Sequence, residues 1–347
     1  MTKRSILKAD DPMGHTLPLV QCACRLAGPF GFVDESRAQL SRRGVIGAVR
    51  RHDTPALFDW FMEVLSFQGI ADRVAKQYLR THGNATWSDV GRALRRRPGC
   101  PKLGGFWLFD DCRYEKGSRA CSEPGHVVAC PLPKHDLRNG RLNQTAYSLF
   151  LFMRDVAGDD FVGWIDRQLA GCVALPEHER LAAMRAALVD PLRGVYGISD
   201  KVTTMALSSL LLGAGRRRAY WLEVGASFIV VDTLVHNFLH RTGILARFGA
   251  DHPYGTACYR PNGCAELIER MAQRIDAQTF NPTFPRVFPR FVQLAIWRYC
   301  SESGLDVCNG NRIDDRHPCD NIYCQLRSRC ECAILHKTQT NHVILEA

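Results

Sequence analysis

Two residues near the middle of the chain have the types and positions that covalent chemistry could use. Lys201 opens the apolar run KVTTMALSSLLL, whose length and composition predict a buried helix. Asp232 precedes a segment in which apolar residues recur at helical spacing, and Gly243 follows that segment as a stop signal. At a helix start, an amine could act as a nucleophile and a carboxylate could accept a proton. The structural alternatives are a solvated lysine and an ordinary N-cap aspartate.

A glycine-containing turn precedes Lys201. Gly194 and Gly197 punctuate this turn, and Ser199 lies between it and the lysine. A turn that leads into a helix directs backbone N–H groups and the positive end of the helix dipole outward, which suits the binding of phosphate. The turn is therefore a candidate contact to a nucleic-acid backbone.

The charge of the chain favours a polyanionic partner. The formal net charge is +10, and arginines cluster at residues 50–51, 95–97 and 216–218. A solvated basic face is the alternative interpretation. No apolar run reaches the roughly 20 residues that a membrane span needs, and the first fifteen residues lack the apolar core of a secretory signal. We therefore expect a cytoplasmic protein that does not bind membranes.

The two segments together resemble a known family. Gly197-Ile198-Ser199-Asp200-Lys201 and Val231-Asp232-Thr233-Leu234 are similar to the paired motifs of helix-hairpin-helix DNA glycosylases of the endonuclease III type. The resemblance implies an all-α fold of two helical lobes, with the helix-hairpin-helix at about residues 188–212. It also implies that Lys201 and Asp232 are catalytic and that Gly197 and Ser199 contact DNA.

A further segment resembles the same family. Asp53-Thr54-Pro55 predicts a helix start, and the apolar face that follows leads into Leu65-Ser66-Phe67-Gln68. In the family, a glutamine at this place fills the gap that an extruded base leaves in the duplex. The resemblance therefore implies that Gln68 is a DNA-binding residue and that a monomeric enzyme binds double-stranded DNA and flips the target base.

The resemblance implies a reaction as well. The enzyme would cleave the N-glycosidic bond of a damaged or modified base, and a Schiff base on Lys201 would add AP lyase activity. An alternative substrate is a bulky, glucosylated cytosine in phage DNA, which would make the protein an anti-phage defence glycosylase. The alternative from another functional class is a non-catalytic DNA-binding iron–sulfur protein.

Cysteines concentrate at the C-terminal end. Fifteen cysteines in a reducing compartment favour metal ligands over disulfides. Endonuclease III relatives carry a [4Fe-4S] cluster in a four-cysteine loop, and the likeness of residues 317–330 to that loop implies such a cluster here, with zinc as the alternative. The favoured ligands are Cys308, Cys319, Cys324 and Cys330, and the substitutes are Cys300 and Cys332.

The predicted domain organisation follows from these motifs. Residues 1–52 and 222–347 form one helical domain with the cysteine-rich loop, and residues 53–221 form a helical barrel domain interrupted by an insertion at 87–141. The insertion contains Cys112, Cys121, His126 and Cys130, at spacings that do not match common zinc motifs. A separate metal site and a loop-rich insertion with buried thiols both remain open.

Overall fold

The computed structural model describes residues 11–67, 72–96, 99–115, 117–118, 120–123, 125, 130–132, 137, 142–309 and 316–335. Within these residues the chain is mostly helical, with fifteen α-helices, several short 3-10 turns and one antiparallel pair of two-residue strands. The predicted all-α class is confirmed at this level. No helix in these ranges combines the length and apolar character that crossing a membrane would require.

The chain divides into two compact units. The first unit combines the described residues of Met1–Phe32 with those of Ile229–Ala347, and the second unit is Val33–Phe228. The helices of the first unit are α1 (Pro12–Ala27), α12 (Thr233–Arg241), α13 (Ile244–Arg247), α14 (Cys264–Ala272) and α15 (Pro289–Cys300). In this unit α15 is the central helix, because α1, α12 and α14 all pack against it.

The second unit contains the remaining helices and the two strands. Its helices are α2 (Phe32–Arg42), α3 (Val45–Arg51), α4 (Thr54–Leu65), α5 (Asp72–His82), α6 (Trp87–Arg95), α7 (Asn143–Leu151), α8 (Phe161–Gly171), α9 (Glu177–Arg193), α10 (Asp200–Ala214) and α11 (Trp221–Ser227). Strands β1 (Tyr114–Glu115) and β2 (Ala120–Cys121) pair in antiparallel register, with Tyr114 opposite Cys121. Every residue of α7 is buried, so this helix runs through the core.

Side-chain caps explain several helix starts. The carboxylate of Asp53 accepts a hydrogen bond from the N–H of Ala56 at 3.1 Å, and Pro55 occupies the first turn of α4. Asp160 caps α8 in the same way through the N–H of Gly163 at 2.8 Å. The start of α4 at Asp53-Thr54-Pro55 is predicted from the sequence, and this prediction is confirmed.

The two units divide at residues that differ from the predicted domain boundaries. The sequence predicts divisions after residues 52 and 221, whereas the units divide after Phe32 and after Phe228. Tertiary packing explains the difference at the first boundary. Helix α3 packs against α4 and α10, and a Cβ at Gly213 of α10 would lie 2.6 Å from Cδ1 of Leu40 in α2. Helices α2 and α3 therefore belong with the core that α10 organises.

Candidate active site and metal centres

The turn at residues 194–199 joins α9 to α10 and is held against α7. The N–H of Tyr196 donates a hydrogen bond to Oγ of Ser148 at 2.9 Å. Gly197 has a φ of +77°, and a Cβ at this position would lie 2.8 Å from Oγ1 of Thr145. A residue other than glycine would therefore be strained here both by its backbone conformation and by contact with α7.

An arginine ties the two ends of this turn together. Nε and Nη2 of Arg193, in the last turn of α9, donate hydrogen bonds to the two carboxylate oxygens of Asp200 at 2.9 and 3.0 Å. Asp200 is the first residue of α10, so the pair fixes one helix relative to the other. The hydrogen bond to Asp200 raises the pKa of Arg193, which keeps the guanidinium charged.

Lys201 lies in the first turn of α10, as the sequence predicts. The residue is half-buried. Its Nζ makes no hydrogen bond or ion pair with the described part of the chain. The helix begins at Asp200, and Ser199 is its N-cap residue. The turn therefore fixes where α10 begins, and the amine of Lys201 makes no polar contact with the described residues.

Asp232 is the N-cap residue of α12, and the prediction that it lies at a helix start is confirmed. Its Oδ1 accepts a hydrogen bond from the N–H of Val235 at 3.0 Å, and Oδ2 accepts none from the residues described here. Burial lowers the pKa of the Arg290 guanidinium to about 10, and the negative charge of Asp232 opposes that shift. Lys201 belongs to the second unit and Asp232 to the first.

A tyrosine holds the backbone immediately before Asp232. The hydroxyl of Tyr259 accepts a hydrogen bond from the N–H of Val231 at 2.9 Å and donates one to the carbonyl of the same residue at 3.3 Å. This bidentate contact satisfies both polar backbone groups of Val231, which lies where the chain enters α12. The position of Asp232 therefore depends on the loop that carries Tyr259.

The C-terminal cysteines converge around one narrow cavity. Thiols of five cysteines line it together with apolar side chains of Phe238, Val307 and Leu326; the cysteines are Cys308, Cys319, Cys324, Cys330 and Cys332. Four of these are the ligands favoured from the sequence. Cys332 lines the cavity as well, whereas Cys300 is buried and hydrogen-bonds to Cys308.

Backbone contacts shape this set of thiols. The N–H of Asn321 donates to the sulfur of Cys319, and the N–H of Cys332 donates to the sulfur of Cys330 at 3.3 Å. Hydrogen bonds of this kind stabilise sulfur ligands of iron–sulfur clusters. The cavity therefore presents sulfur donors beside apolar side chains, and Arg241, Thr242, Tyr299 and Arg327 line it as well.

A second group of ligand-type side chains lies in the same unit, and the sequence analysis did not identify it. His236, His252, Cys258 and Cys264 place one ligand atom each within 4.8 Å of one another. Nδ1 of His236 lies 3.3 Å from Sγ of Cys264 and 3.6 Å from Sγ of Cys258. Nε2 of His252 lies 3.3 Å from Sγ of Cys264. We call these four residues the Cys2His2 group.

The electrostatics of the Cys2His2 group favour a thiolate. A hydrogen bond from Cys264 and a further one from His236 lower the pKa of Cys258 to about 4, although burial opposes the shift. The same contact with Cys258, together with burial, raises the pKa of Cys264. The lowered pKa of Cys258 favours its thiolate, which is the form that binds metal ions.

The insertion also gathers cysteines. Cys100, Cys112, Cys121 and Cys130 line one pocket of about 180 Å³ beside strands β1 and β2. Burial raises the pKa values of Cys112 and Cys130. The prediction for this region names Cys112, Cys121 and Cys130 but not Cys100, and it includes His126, which lies outside the described residues. Gln68, the predicted base-gap residue, also lies outside them.

Arginines that are distant in sequence line a pocket of about 540 Å³ in the second unit. They are Arg37, Arg50, Arg216, Arg217 and Arg218, and we call this the arginine pocket. One acidic residue, Asp166, also lines it and pairs with Arg218. Two of the three arginine clusters seen in the sequence thus contribute to one basic surface.

Comparison with known proteins identifies no relative. No protein-family model matches the chain, and no significant match was found among curated proteins or solved structures.

Proposed function

We propose that the chain is a DNA glycosylase that cleaves the N-glycosidic bond of a damaged or modified base through Lys201. The observation that carries the proposal is the position of Lys201. It follows a turn whose φ of +77° at Gly197 favours glycine, and its amine makes no structural contact within the described residues. A structural lysine in a first turn does not require this combination.

The proposed reaction uses the amine as a nucleophile. Nζ of Lys201 attacks C1′ of the target nucleotide, the C1′–N bond breaks, and the base leaves with the electron pair and takes up a proton. Opening of the sugar ring then gives a Schiff base between the lysine and C1′. Such an imine permits β-elimination, so strand cleavage at the abasic site accompanies base release.

Asp232 is proposed as the acid–base partner. Its Oδ1 is engaged in capping α12, whereas Oδ2 has no hydrogen-bond donor in the described part of the chain. This oxygen would act as a general base, and the carboxylate would stabilise positive charge that develops at C1′. Asp232→Asn separates the chemical role from the structural one. It removes the negative charge but keeps the cap, because asparagine also caps helices well.

Two features of the second unit support double-stranded DNA as the partner. The turn at residues 194–199 leads into α10 and suits contact with a phosphate. The arginine pocket adds five guanidinium groups against one carboxylate. Extruding a base costs a few kcal/mol, and phosphate contacts of this kind would offset that cost.

The C-terminal cysteines are proposed to hold a [4Fe-4S] cluster. Cys308, Cys319, Cys324 and Cys330 would be the ligands, and Cys332 is the remaining thiol in the cavity. The cluster would brace the loop that follows α15 and would take no part in the reaction. Zinc bound by the same cysteines is the alternative, and the iron content of the purified protein decides between the two.

The proposed function is tested by measuring base release from a panel of duplexes. The panel contains oxidised and alkylated pyrimidines and purines and DNA with glucosylated cytosine, and abasic sites are counted after incubation. We expect release from at least one class, with a loss of at least about 100-fold in Asp232→Asn and unchanged DNA affinity. Salt-dependent binding without release from any duplex would instead favour the non-catalytic DNA-binding protein.

A further inference from the structure

The distances within the Cys2His2 group match the edges of a metal-centred tetrahedron. Zinc binds sulfur at about 2.3 Å and imidazole nitrogen at about 2.0 Å, so a tetrahedral site separates nitrogen from sulfur by about 3.5 Å. The three nitrogen–sulfur distances here are 3.3, 3.3 and 3.6 Å. A single ion at the centre would therefore contact all four ligands with little movement.

A backbone contact prepares one of the histidines as a ligand. Nδ1 of His252 lies 2.6 Å from the carbonyl oxygen of Ala250, and only a protonated Nδ1 can donate this hydrogen bond. In the neutral ring, Nε2 then carries the lone pair, and it is Nε2 that faces Sγ of Cys264. Metal-binding histidines characteristically use their second nitrogen in this way.

The four side chains of the Cys2His2 group are largely shielded from solvent. Cys258 and Cys264 are fully buried and His236 is 5% exposed, while His252 is half-buried. Two histidines and two cysteines form a complete zinc coordination set and leave no position open for water or substrate. The donor set thus fits a structural ion.

We propose that His236, His252, Cys258 and Cys264 bind one structural zinc ion, which holds residues 250–264 against the first turns of α12. His236 is a residue of α12, and His252 lies in the loop after α13. Cys258 lies in the 3-10 turn Thr256–Tyr259, and Cys264 is the first residue of α14. The ion thereby joins segments that no continuous secondary structure connects.

The zinc ion also positions Asp232. His236 follows Asp232 by four residues on the same helix, and Tyr259, which binds both backbone groups of Val231, adjoins the ligand Cys258. The ring of Tyr254, in the same loop, lies 5.8 Å from the ring of His236.

Metal content tests the zinc site independently of glycosylase activity. Purified full-length protein is analysed for zinc and iron per chain by mass spectrometry. We expect one zinc in the wild type, less than one tenth of that in Cys258→Ser and His252→Ala, and retention in His252→Cys, which keeps a zinc ligand. The buried thiol of Cys24 in α1 provides the control, and Cys24→Ser should keep its zinc.

A measurement on the wild type covers the case in which a ligand variant does not fold. Cobalt replaces the metal, and visible d–d bands with thiolate charge transfer report a tetrahedral site. Chymotrypsin cleavage after the exposed Tyr254 reports the loop, and removal of the metal should accelerate it at least about tenfold. Wild-type protein without zinc, without these bands and with the same cleavage rate after chelation would overturn the proposal.

The effect on Asp232 rests on the proposed function, and its test is separate. If the DNA panel yields a substrate, His252→Ala should lower the rate of base release, and His252→Cys should restore it. The zinc site fails if His252→Ala retains its zinc, and the positioning role fails if the metal is lost without any change in the rate. Zinc in a protein with no active substrate would contradict the glycosylase alone.

Discussion

A Cβ at Gly197 would lie 2.8 Å from Oγ1 of Thr145, so the turn before Lys201 and the buried helix α7 approach each other more closely than a side chain at this position allows. The left-handed φ of Gly197 adds a second constraint. The residue that precedes the proposed nucleophile by four positions is thus fixed by both local geometry and packing.

Gly197→Ala should therefore destabilise the protein more than an alanine at another left-handed glycine. The left-handed backbone costs a non-glycine residue about 1–2 kcal/mol, and the contact with Thr145 adds about 1–3 kcal/mol. The matched control is Gly158→Ala, because Gly158 has a φ of +69° and open space around it. Urea denaturation measures both variants. Equal losses would show that the contact with α7 has no energetic weight, and Thr145→Ala should partly rescue Gly197→Ala.

Asp59 gives a pH-dependent prediction. Burial raises the pKa of this carboxyl, while its Oδ1 accepts a hydrogen bond from the N–H of Trp87 at 2.7 Å. Because the pKa is higher in the folded state than in the unfolded state, the folded protein binds more protons. The stability from this group is therefore present below the ordinary carboxyl pKa of 3.8 and is lost as the pH rises through the folded value.

Asp59→Asn should consequently raise the melting temperature at pH 7, since it removes the buried charge and keeps the acceptor for Trp87. The gain should shrink as the pH falls towards the ordinary carboxyl pKa. Asp59→Ala, which also removes the acceptor, should lower the melting temperature instead. Thermal denaturation from pH 3.5 to 8 checks this, and a lower melting temperature for Asp59→Asn at pH 7 would contradict the prediction.

Asp166 lines the arginine pocket and contacts two neighbouring side chains. Its carboxylate accepts a hydrogen bond from Nε1 of the fully buried Trp221 at 2.7 Å and pairs with Arg218. Asp166→Ala leaves a buried N–H without an acceptor and should cost about 2–3 kcal/mol of unfolding free energy. Asp166→Asn retains the acceptor and weakens only the ion pair with Arg218, so it should cost no more than about 1 kcal/mol. Similar losses in the two variants would show that the contact with Trp221 is not the stabilising one.

The arginine pocket should contribute to DNA affinity through phosphate contacts. Arg216→Ala combined with Arg217→Ala removes two guanidinium groups and should reduce the slope of log affinity against log salt by about 1.8. Binding should weaken equally for all duplex sequences, because phosphate contacts carry no sequence information. Arg286→Ala, an exposed arginine outside the pocket, serves as the control. An unchanged salt slope in the double variant would exclude the pocket from the interface.

Local sequence signals predict the helices well. Apolar spacing and stop residues predict α4, α10 and α12, and they place Lys201 and Asp232 at helix starts, because caps and periodicity act over a few neighbouring residues. The assignment of α2 and α3 to the second unit was not predicted. It depends on packing between Leu40 and Gly213, which are distant in sequence and carry no local signal.

The Cys2His2 group was missed for the same physical reason. Its four ligands come from α12, a loop, a 3-10 turn and α14, and only the folded chain brings them together. The one signal in the sequence is the equal gap of five residues from His252 to Cys258 and from Cys258 to Cys264. Cys100 likewise joins the insertion cysteines through tertiary structure alone.

Borohydride trapping tests the central claim most directly. The protein is incubated with the DNA panel in the presence of borohydride, which reduces a lysine–C1′ imine to a stable adduct, and the crosslinked peptide is mapped by mass spectrometry. We expect an adduct on Lys201 that is absent in Lys201→Ala and unchanged in Lys76→Ala, a lysine of α5. Base release with no trapped adduct, or an adduct that persists in Lys201→Ala, would contradict the proposal that Lys201 is the nucleophile.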